Sequence, residues 1–176
     1  MNTIDNNYIY YFRDKYGDIN EHFPVLRKYA KQCDTIIECG TRRIVSTWAL
    51  LAGRPKTMLS VDIEHPTFYG GDLDRVFHAC EEEGITFKFA KISSLELKII
   101  SVDLLFLDTH HSYEQINQEL KLHASNVKKF IIIHDTNIPE AMAAVADFII
   151  ENKDWVTTEI LTNQNGLTVL ERVNNR

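Results

Sequence analysis

Acidic side chains stand where two apolar segments of the chain end. Asp108 follows the run Val102–Leu107, and Asp135 follows the run Phe130–Ile133 after one histidine. A single helical segment joins the two runs, so we expect them to be neighbouring strands, about 4.8 Å apart. Two carboxylates sharing one space at roughly 5 Å would repel each other by about 3 kcal/mol at an effective dielectric constant of about 20. The pattern indicates either one protonated carboxyl or a bound cation, and a divalent ion with oxygen ligands is the simplest choice.

Three histidines accompany these two carboxylates. His111 lies three residues after Asp108, where a loop is predicted to meet a helix. A histidine there can titrate near neutrality and accept a proton from a substrate hydroxyl. His134 directly precedes Asp135, and it either joins a metal site or points away, because alternate strand residues face opposite sides of a sheet. His110 taken by itself is interpreted as a loop histidine.

A second group of candidate residues ends the first two predicted strands. Glu38, Gly40 and Thr41 belong to the sequence ECGT, in which glycine allows the backbone to turn sharply and to approach a ligand. Asp62 follows 22 positions after Gly40. An acidic residue about 20 positions after a glycine turn is typical of sites that bind ribose hydroxyls. The alternatives are a plain strand-to-helix turn at Gly40 and a loop cap at Asp62.

Short apolar runs rich in β-branched residues must position both groups. Runs of this length and composition are typical of parallel strands buried on both faces. Five strands are predicted in this way, at Thr35–Cys39, Met58–Ile63, Ile85–Ala90, Val102–Leu107 and Phe130–Ile133. Helical patterns lie between and after them, at Ser46–Leu51, Asp72–Glu83, Ser112–Ala124 and from Pro139 to about Glu151.

The end of the chain breaks this alternation. Trp155–Leu161 and Leu167–Val173 are both predicted to be strands, and Asn165-Gly166 between them is typical of a hairpin turn. Alternating strands and helices imply a doubly wound α/β fold. We therefore predict a mostly parallel, seven-stranded Rossmann-like sheet with a C-terminal antiparallel hairpin. Such sheets bind ligands outside the carboxyl ends of their strands, which is where both groups of candidate residues lie.

The composition is that of an ordinary globular chain of 176 residues, with 44% hydrophobic and 25% charged residues. The net charge of −6 argues against nucleic acid and anionic membranes as the main partners, which leaves small molecules and proteins as alternatives. The first residues lack the basic region of a signal peptide, and no run approaches the roughly 18 apolar residues of a membrane span. Three cysteines without C-x-x-C spacing are typical of reduced thiols. Together these features predict a cytoplasmic protein.

The length predicts one main domain with a short extension. Residues 1–33 are predicted to form a helical and aromatic N-terminal extension, and residues 34–176 the Rossmann-like domain. The aromatic side chains of the extension pack the core, cover the ligand cleft or pair two subunits of a homo-oligomer. The sequence leaves these alternatives open for Tyr8, Tyr10, Tyr11, Phe12 and Phe23.

Taken together, the motifs resemble those of a class I S-adenosylmethionine-dependent methyltransferase. The resemblance rests on E-x-G at the first strand, an acidic end to the second, D-x-x-H-S-Y-E after the fourth, H-D-T after the fifth, and the terminal hairpin. It covers about Thr35 to Val173. The branch that it resembles most includes the cephalosporin-hydroxylase-like proteins and the metal-dependent macrolide-sugar O-methyltransferases.

The resemblance implies roles for individual residues. Asp108 and Asp135 would hold a divalent metal, magnesium or manganese, with His134 as a third ligand where some relatives have glutamate, and His111 would act as general base. Ile44 occupies the second glycine position of the family's E-x-G-x-x-x-G pattern, and a side chain there is expected to narrow the cofactor's path. The cofactor, S-adenosyl-L-methionine, would contact Glu38, Gly40, Thr41, Ser46, Asp62, Ser93 and Asp108.

These roles predict an enzyme that transfers a methyl group to a hydroxyl of a small molecule such as a sugar, assisted by the metal. One alternative is a metal-dependent hydrolase or oxygenase on the same fold, because His111, His134 and one aspartate could form a two-histidine, one-carboxylate iron site. Another is a non-catalytic binding protein, which Ile44 in the cofactor loop would favour.

Overall fold

A computed structural model of the chain describes residues 2–14 and 17–173. Within these residues, six α-helices are present: α1 (Thr3–Phe12), α2 (Phe23–Ala30), α3 (Val45–Leu51), α4 (Leu73–Glu82), α5 (Tyr113–His123) and α6 (Pro139–Glu151). The same residues contain seven strands: β1 (Thr35–Cys39), β2 (Thr57–Asp62), β3 (Thr86–Lys91), β4 (Val102–Leu107), β5 (Val127–His134), β6 (Trp155–Leu161) and β7 (Leu167–Arg172). Every strand and helix predicted above is present, and the largest change is that β5 begins three residues earlier than expected.

The seven strands form one sheet in the order β3-β2-β1-β4-β5-β7-β6. The first five strands of the chain are parallel, and β7 pairs antiparallel with β5 and with β6. This confirms the predicted doubly wound, mostly parallel sheet with its terminal hairpin. The chain reverses direction across the sheet between β1 and β4, so their carboxyl ends form the switch point at which such sheets bind ligands.

The sheet is buried on both faces because its central strands are rich in apolar residues that point to either side. In β4, Leu104 and Phe106 pack into one hydrophobic cluster, and Leu105 and Leu107 pack into the other. Helices α1 to α4 cover the first face, and α5 and α6 cover the second. Cys39 is fully buried in the second cluster, and all three cysteines are free thiols.

The N-terminal extension packs on the first face of the sheet. Ile4 of α1 and Phe23 of α2 are fully buried in the same cluster as Trp48 of α3. The ring of Tyr8 contacts that of Phe23 at a centroid distance of 5.4 Å, whereas Tyr10 is 70% exposed. The boundary at residue 33 stays a prediction, and residues 1, 15, 16 and 174–176 of the two predicted regions lie outside the described residues.

None of the helices in residues 2–14 and 17–173 combines the length and the apolar composition that crossing a membrane requires.

Candidate functional site

A cavity of about 920 Å³ opens at the carboxyl ends of β1, β2, β4 and β5. A volume of this order suits a cofactor or another drug-sized ligand. All the residues predicted to bind cofactor or metal or to act as general base line this cavity except Glu38: Gly40, Thr41, Ser46, Asp62, Ser93, Asp108, His111, His134 and Asp135. The fold therefore brings both groups of candidate residues to one space.

Position 40 must be a glycine because the end of the neighbouring strand β4 leaves no room for a side chain. Its backbone has φ +91°, and a Cβ built on it would lie 1.9 Å from the carbonyl oxygen of Asp108. The turn is also joined to both neighbours by hydrogen bonds, from Gly40 N to Val61 O at 2.8 Å and from Asp108 N to Cys39 O at 2.9 Å. The close approach expected of this glycine is thus made to the end of β4, which places the β1–α3 loop beside Asp108.

Ile44 adopts a left-handed backbone conformation, with φ 65° and ψ 34°. This conformation costs a residue with a Cβ roughly 1–2 kcal/mol, whereas glycine adopts it freely. The Ile44 side chain is 2% exposed and lies in the first hydrophobic cluster, away from the cavity. The backbone at Ile44 thus has the left-handed conformation that glycine favours. Because the side chain points into the core, it does not narrow the cavity in the way that had been expected.

Glu38 lies beneath the cavity and is fully buried. Its carboxylate accepts hydrogen bonds from Ser46 Oγ at 2.6 Å, Thr47 Oγ1 at 2.7 Å and Ser60 Oγ at 2.6 Å. Burial raises the pKa of Glu38 to about 7, although the three hydroxyls oppose this change. The structure therefore gives Glu38 a supporting position, in which it ties β1 to the start of α3 and to β2, rather than the direct cofactor contact that the sequence predicted.

Asp62 lines the cavity and also holds the loop opposite. Its Oδ2 accepts hydrogen bonds from the backbone N–H groups of Thr41 at 2.9 Å and Arg42 at 2.8 Å. Its Oδ1 accepts one from Glu64 N at 3.0 Å. Both interpretations of Asp62 are therefore compatible with the structure: it caps loops, and its carboxylate is fixed at the cavity wall, where it can accept a ligand hydroxyl.

Asp108 and Asp135 share one space, as the pairing of β4 with β5 predicts. His134 Nδ1 lies between them, 3.2 Å from Asp108 Oδ1 and 3.1 Å from Asp135 Oδ2. His111 Nε2 lies 2.6 Å from Asp135 Oδ2 and 3.7 Å from Asp108 Oδ1. The shorter contact is an ion-pair distance without the direction of an N–H···O hydrogen bond. We call these four residues the acid–histidine centre.

In this centre, the carboxylates stabilise the protonated histidines, and the protonated histidines stabilise the charged carboxylates. Contact with Asp108 and then with Asp135 raises the pKa of His111 to about 9. Burial works against the protonation of His134, but the same two carboxylates outweigh it and raise the pKa of this ring to about 10. Although burial opposes it, the two rings in turn hold the pKa of Asp135 well below its usual range and lower that of Asp108. The repulsion expected between the carboxylates is therefore relieved by imidazolium groups at neutral pH.

The backbone at Asp135 contributes to this arrangement. Asp135 directly follows β5, has φ 58° and is 4% exposed. Aspartate is among the few residues that tolerate the left-handed region. Strained residues of this kind cluster at functional sites. The turn of the chain at Asp135 brings its carboxylate back towards the end of β4.

The donor set fits a metal ion with carboxylate and imidazole ligands. One ligand atom each from Asp108, His111 and Asp135 lies within 4.8 Å of the others. His134 Nδ1 contacts both carboxylates, and its buried Nε2 has no hydrogen-bond partner within the part of the chain that the structure describes. The role of His134 as a third ligand stays a prediction. The group contains one histidine and two carboxylates, which differs from the two-histidine, one-carboxylate set of the oxygenase alternative.

Sequence reasoning missed Glu119, a fully buried carboxylate on α5. It accepts hydrogen bonds from Ser94 Oγ at 2.5 Å, Thr109 Oγ1 at 2.8 Å and Gln115 Nε2 at 2.9 Å, and these three donors line the cavity. The available signal was its position three residues after Ile116, on the apolar face of the helix. A glutamate there must find buried hydrogen-bond donors, since a buried unpaired carboxylate is costly.

The N-terminal extension supplies another wall of the cavity, through residues that include Tyr11 and Asn20. Of the three alternatives for the aromatic side chains, core packing is observed for Phe23 and contact with the cleft for Tyr11.

Searches of family models and of curated proteins found no match to the sequence. Solved structures do share its fold. A methyltransferase from Geobacter sulfurreducens matches with a TM-score of 0.67 at 13% identity, covering 88% of this chain and 79% of that one. An O-methyltransferase from Bacillus cereus in complex with SAH matches with a TM-score of 0.65 at 12% identity, over 98% and 89% of the two chains. TomG from Streptomyces achromogenes, an O-methyltransferase involved in tomaymycin synthesis and solved with SAM, matches with a TM-score of 0.61 at 15% identity, over 88% and 81%. The chain therefore has the fold of class I methyltransferases, and the branch within them stays a prediction.

Proposed function

We propose that this chain is an S-adenosylmethionine-dependent O-methyltransferase that acts on a small hydroxylated molecule such as a sugar, with a divalent metal, magnesium or manganese. The observation that carries the proposal is that one cavity is lined both by Gly40 and Asp62, at the ends of β1 and β2, and by the acid–histidine centre. The shared fold of proteins solved with SAM and SAH supports the choice of cofactor.

The wall formed by β1 and β2 suits the nucleoside part of the cofactor. Asp62 would accept hydrogen bonds from ribose hydroxyls, because its carboxylate is fixed by loop amides at the edge of the cavity. Thr41, Ser46 and Ser93 line the same wall. S-adenosylmethionine bound there would supply an electrophilic methyl group.

The acid–histidine centre suits the activation of a hydroxyl group. Asp108 and Asp135 would hold the metal, which would stabilise the charge that develops on the substrate oxygen. His111 keeps its proton while both carboxylates face it with full charge. With a cation compensating those charges, the pKa of His111 would fall, and the ring could take the hydroxyl proton as the oxygen bonds to the methyl carbon and the carbon–sulfur bond of the cofactor breaks. Holding the reacting atoms in line supplies much of the remaining rate.

Cofactor binding is tested by isothermal titration with S-adenosylmethionine and with its demethylated product. Asp62→Ala is expected to weaken binding about 10- to 100-fold, since it removes hydrogen bonds to a charged acceptor worth about 1.5–3 kcal/mol. Asp74→Ala, an exposed position on α4 away from the cavity, is the matched control. If no heat is measured at high protein concentration, the proposed cofactor is wrong.

Methyl transfer is tested with a panel of sugars and other polyols, by following the release of the demethylated cofactor. Transfer is expected to need magnesium or manganese and to be lost with a chelator or with Asp108→Asn. Full transfer in the presence of the chelator would remove the metal from the proposal and leave the methyltransferase. Phosphate release or oxygen consumption without S-adenosylmethionine would instead favour the hydrolase or oxygenase.

A further inference from the structure

The buried carboxylate of Glu119 gathers three hydrogen-bond donors at one end of the cavity. Its Oε1 accepts from Ser94 Oγ at 2.5 Å, from Thr109 Oγ1 at 2.8 Å and from Gln115 Nε2 at 2.9 Å. Its Oε2 accepts from Thr109 Oγ1 at 3.0 Å. Glu119 is fully buried, whereas the three donor residues line the cavity. We call these four residues the Glu119 network.

The hydrogen bonds of the network have a fixed direction, because a carboxylate can only accept. The hydroxyl hydrogens of Ser94 and Thr109 both point to Glu119. Gln115 Nε2 uses one hydrogen on Glu119 Oε1 and the other on Ser94 Oγ, which lies 3.1 Å away. Gln115 Oε1 is not buried and has no hydrogen-bond partner among the residues that the structure describes. The network therefore presents an acceptor oxygen to the cavity, and its donors are all used within the protein.

Two isoleucines of the cavity wall adjoin Asp62. Ile63 directly follows Asp62, and Ile92 directly follows β3; both line the cavity. Ile92 N donates to Asp62 O at 2.9 Å, and Ser94 of the network comes two residues after Ile92. Ile63 is 67% exposed, so a flat ring placed there would cover apolar surface. A base attached to a ribose at Asp62 would thus lie against the isoleucines and turn its edge towards the network.

We propose that Gln115 determines the specificity for the base of the cofactor and that Glu119 is its positioning residue: Glu119 holds Gln115 Nε2, so that Gln115 Oε1 accepts a hydrogen bond from the exocyclic amino group of adenine. The inference rests on the proposed function, because it takes S-adenosylmethionine as the ligand. It adds a selection made by this chain, in which a base with an amino group at that edge is preferred to one with a carbonyl oxygen. The metal has no part in this selection.

The charge on Glu119 decides which way the Gln115 amide points. If the amide turned around, two acceptor oxygens would face each other across the present 2.9 Å contact with no hydrogen between them. Burial raises the pKa of Glu119, but the three donors and nearby His123 oppose the rise by favouring the charged form. A glutamine at position 119 can donate as well as accept, so it would remove this preference while keeping the shape of the side chain.

Isothermal titration with S-adenosylhomocysteine and with S-inosylhomocysteine tests the selection in the wild type. The second compound carries a carbonyl oxygen in place of the amino group of adenine, so it would bring an acceptor to Gln115 Oε1. The wild type is expected to bind it about 10- to 100-fold more weakly, since both oxygens would then be left unpaired. Equal affinities for the two compounds would overturn the proposal without any variant.

Two variants test the residues separately. Gln115→Met keeps the length of the side chain and removes the acceptor, so the preference for S-adenosylhomocysteine is expected to fall to less than about threefold. Glu119→Gln frees the Gln115 amide to turn, and the preference should fall by at least about threefold. If Glu119 has only a structural role, its variant will weaken the binding of both compounds equally, and the unchanged preference would overturn the positioning role.

Gln118→Met is the matched control, because Gln118 is an exposed residue of the same helix that does not line the cavity. Both affinities of this variant are expected to stay within about twofold of the wild type. A loss of preference equal to that of Gln115→Met would overturn the role of Gln115.

The outcomes separate this inference from the proposed function. If the wild type binds neither compound, the proposed cofactor is wrong, and the specificity inferred for Gln115 fails with it. If the wild type binds S-adenosylhomocysteine but does not prefer it, or if Gln115→Met keeps the full preference, this inference alone is overturned and the proposed function stands.

Discussion

Replacing Glu38 by glutamine is expected to change how the stability of the protein depends on pH. Glu38 is fully buried among the hydroxyls of Ser46, Thr47 and Ser60, with hydrogen-bond distances of 2.6–2.7 Å. Glutamine has nearly the same shape and does not titrate, and the surrounding hydroxyls can rotate to donate to its oxygen or accept from its nitrogen. The substitution thus removes one proton-binding group with little change in packing.

The direction of the effect follows from where the proton binds. Burial raises the pKa of Glu38 from 4.5, the value for an exposed glutamate, to about 7 in the folded protein. Between these values the folded state holds a proton that the unfolded chain has lost, so the free energy of unfolding falls as pH rises. The difference of about 2.5 in pKa corresponds to about 3 kcal/mol, which is lost completely above about pH 7.

Urea denaturation followed by circular dichroism measures this effect. The free energy of unfolding of the wild type minus that of Glu38→Gln is expected to fall by about 3 kcal/mol from about pH 4.5 to about pH 8. The other ionisable groups are common to both proteins, so their contributions cancel in the difference. Ser60→Ala removes one hydroxyl that lowers the pKa of Glu38. In this variant, the fall in unfolding free energy that is due to Glu38 should therefore extend to higher pH. A constant difference across the range would refute the reasoning, since Glu38 would then have the same pKa in the folded and the unfolded state.

Two further predictions concern the Ile44 turn and the binding of manganese at the acid–histidine centre. Ile44→Ala is expected to lower the free energy of unfolding by about 2–5 kcal/mol, because a buried side chain is lost. Ile44→Gly should be about 1 kcal/mol more stable than Ile44→Ala, which reverses the usual order of the two residues, because the backbone φ at this position is 65°. Denaturation of the pair measures this, and a more stable alanine variant would contradict the left-handed backbone. Manganese affinity should rise about tenfold per pH unit from about pH 6 to 8, because the metal and the proton of His111 compete for the same carboxylates, and the pKa of His111 is about 9. An affinity that EPR titration finds to be independent of pH would contradict this competition.

Local structure was predictable because the side-chain pattern reports directly on backbone conformation and burial. The mostly apolar β4 indicated a strand buried on both faces, and its apolar residues do alternate between the two hydrophobic clusters. The helical pattern that begins at Ser112 predicted α5, and Ser112 Oγ caps this helix by accepting a hydrogen bond from Gln115 N at 3.3 Å. The Asn165-Gly166 signal likewise predicted the terminal hairpin. Such features depend on residues close together in the chain.

The meeting of Asp108 and Asp135 was predictable for a related reason. A single helix between two parallel strands normally makes them neighbours, so both carboxylates had to end at one edge of the sheet. The rest of the strand order was not available from the pattern, because the apolar runs pair equally well with one another. The order β3-β2-β1-β4-β5-β7-β6 is seen only in the tertiary structure.

By itself, the sequence determined the strands, the helices, the doubly wound class and the edge of the sheet at which the candidate residues lie. The tertiary structure decided what each side chain meets there: hydroxyls around Glu38, the core around Ile44, and histidines rather than only a metal between the two carboxylates. It also brought His22 to His134 from a distant segment. The physical reason is that hydrophobic periodicity encodes which face of an element is buried. The partners of a polar side chain depend instead on crossovers, on left-handed turns and on segments far away in the chain.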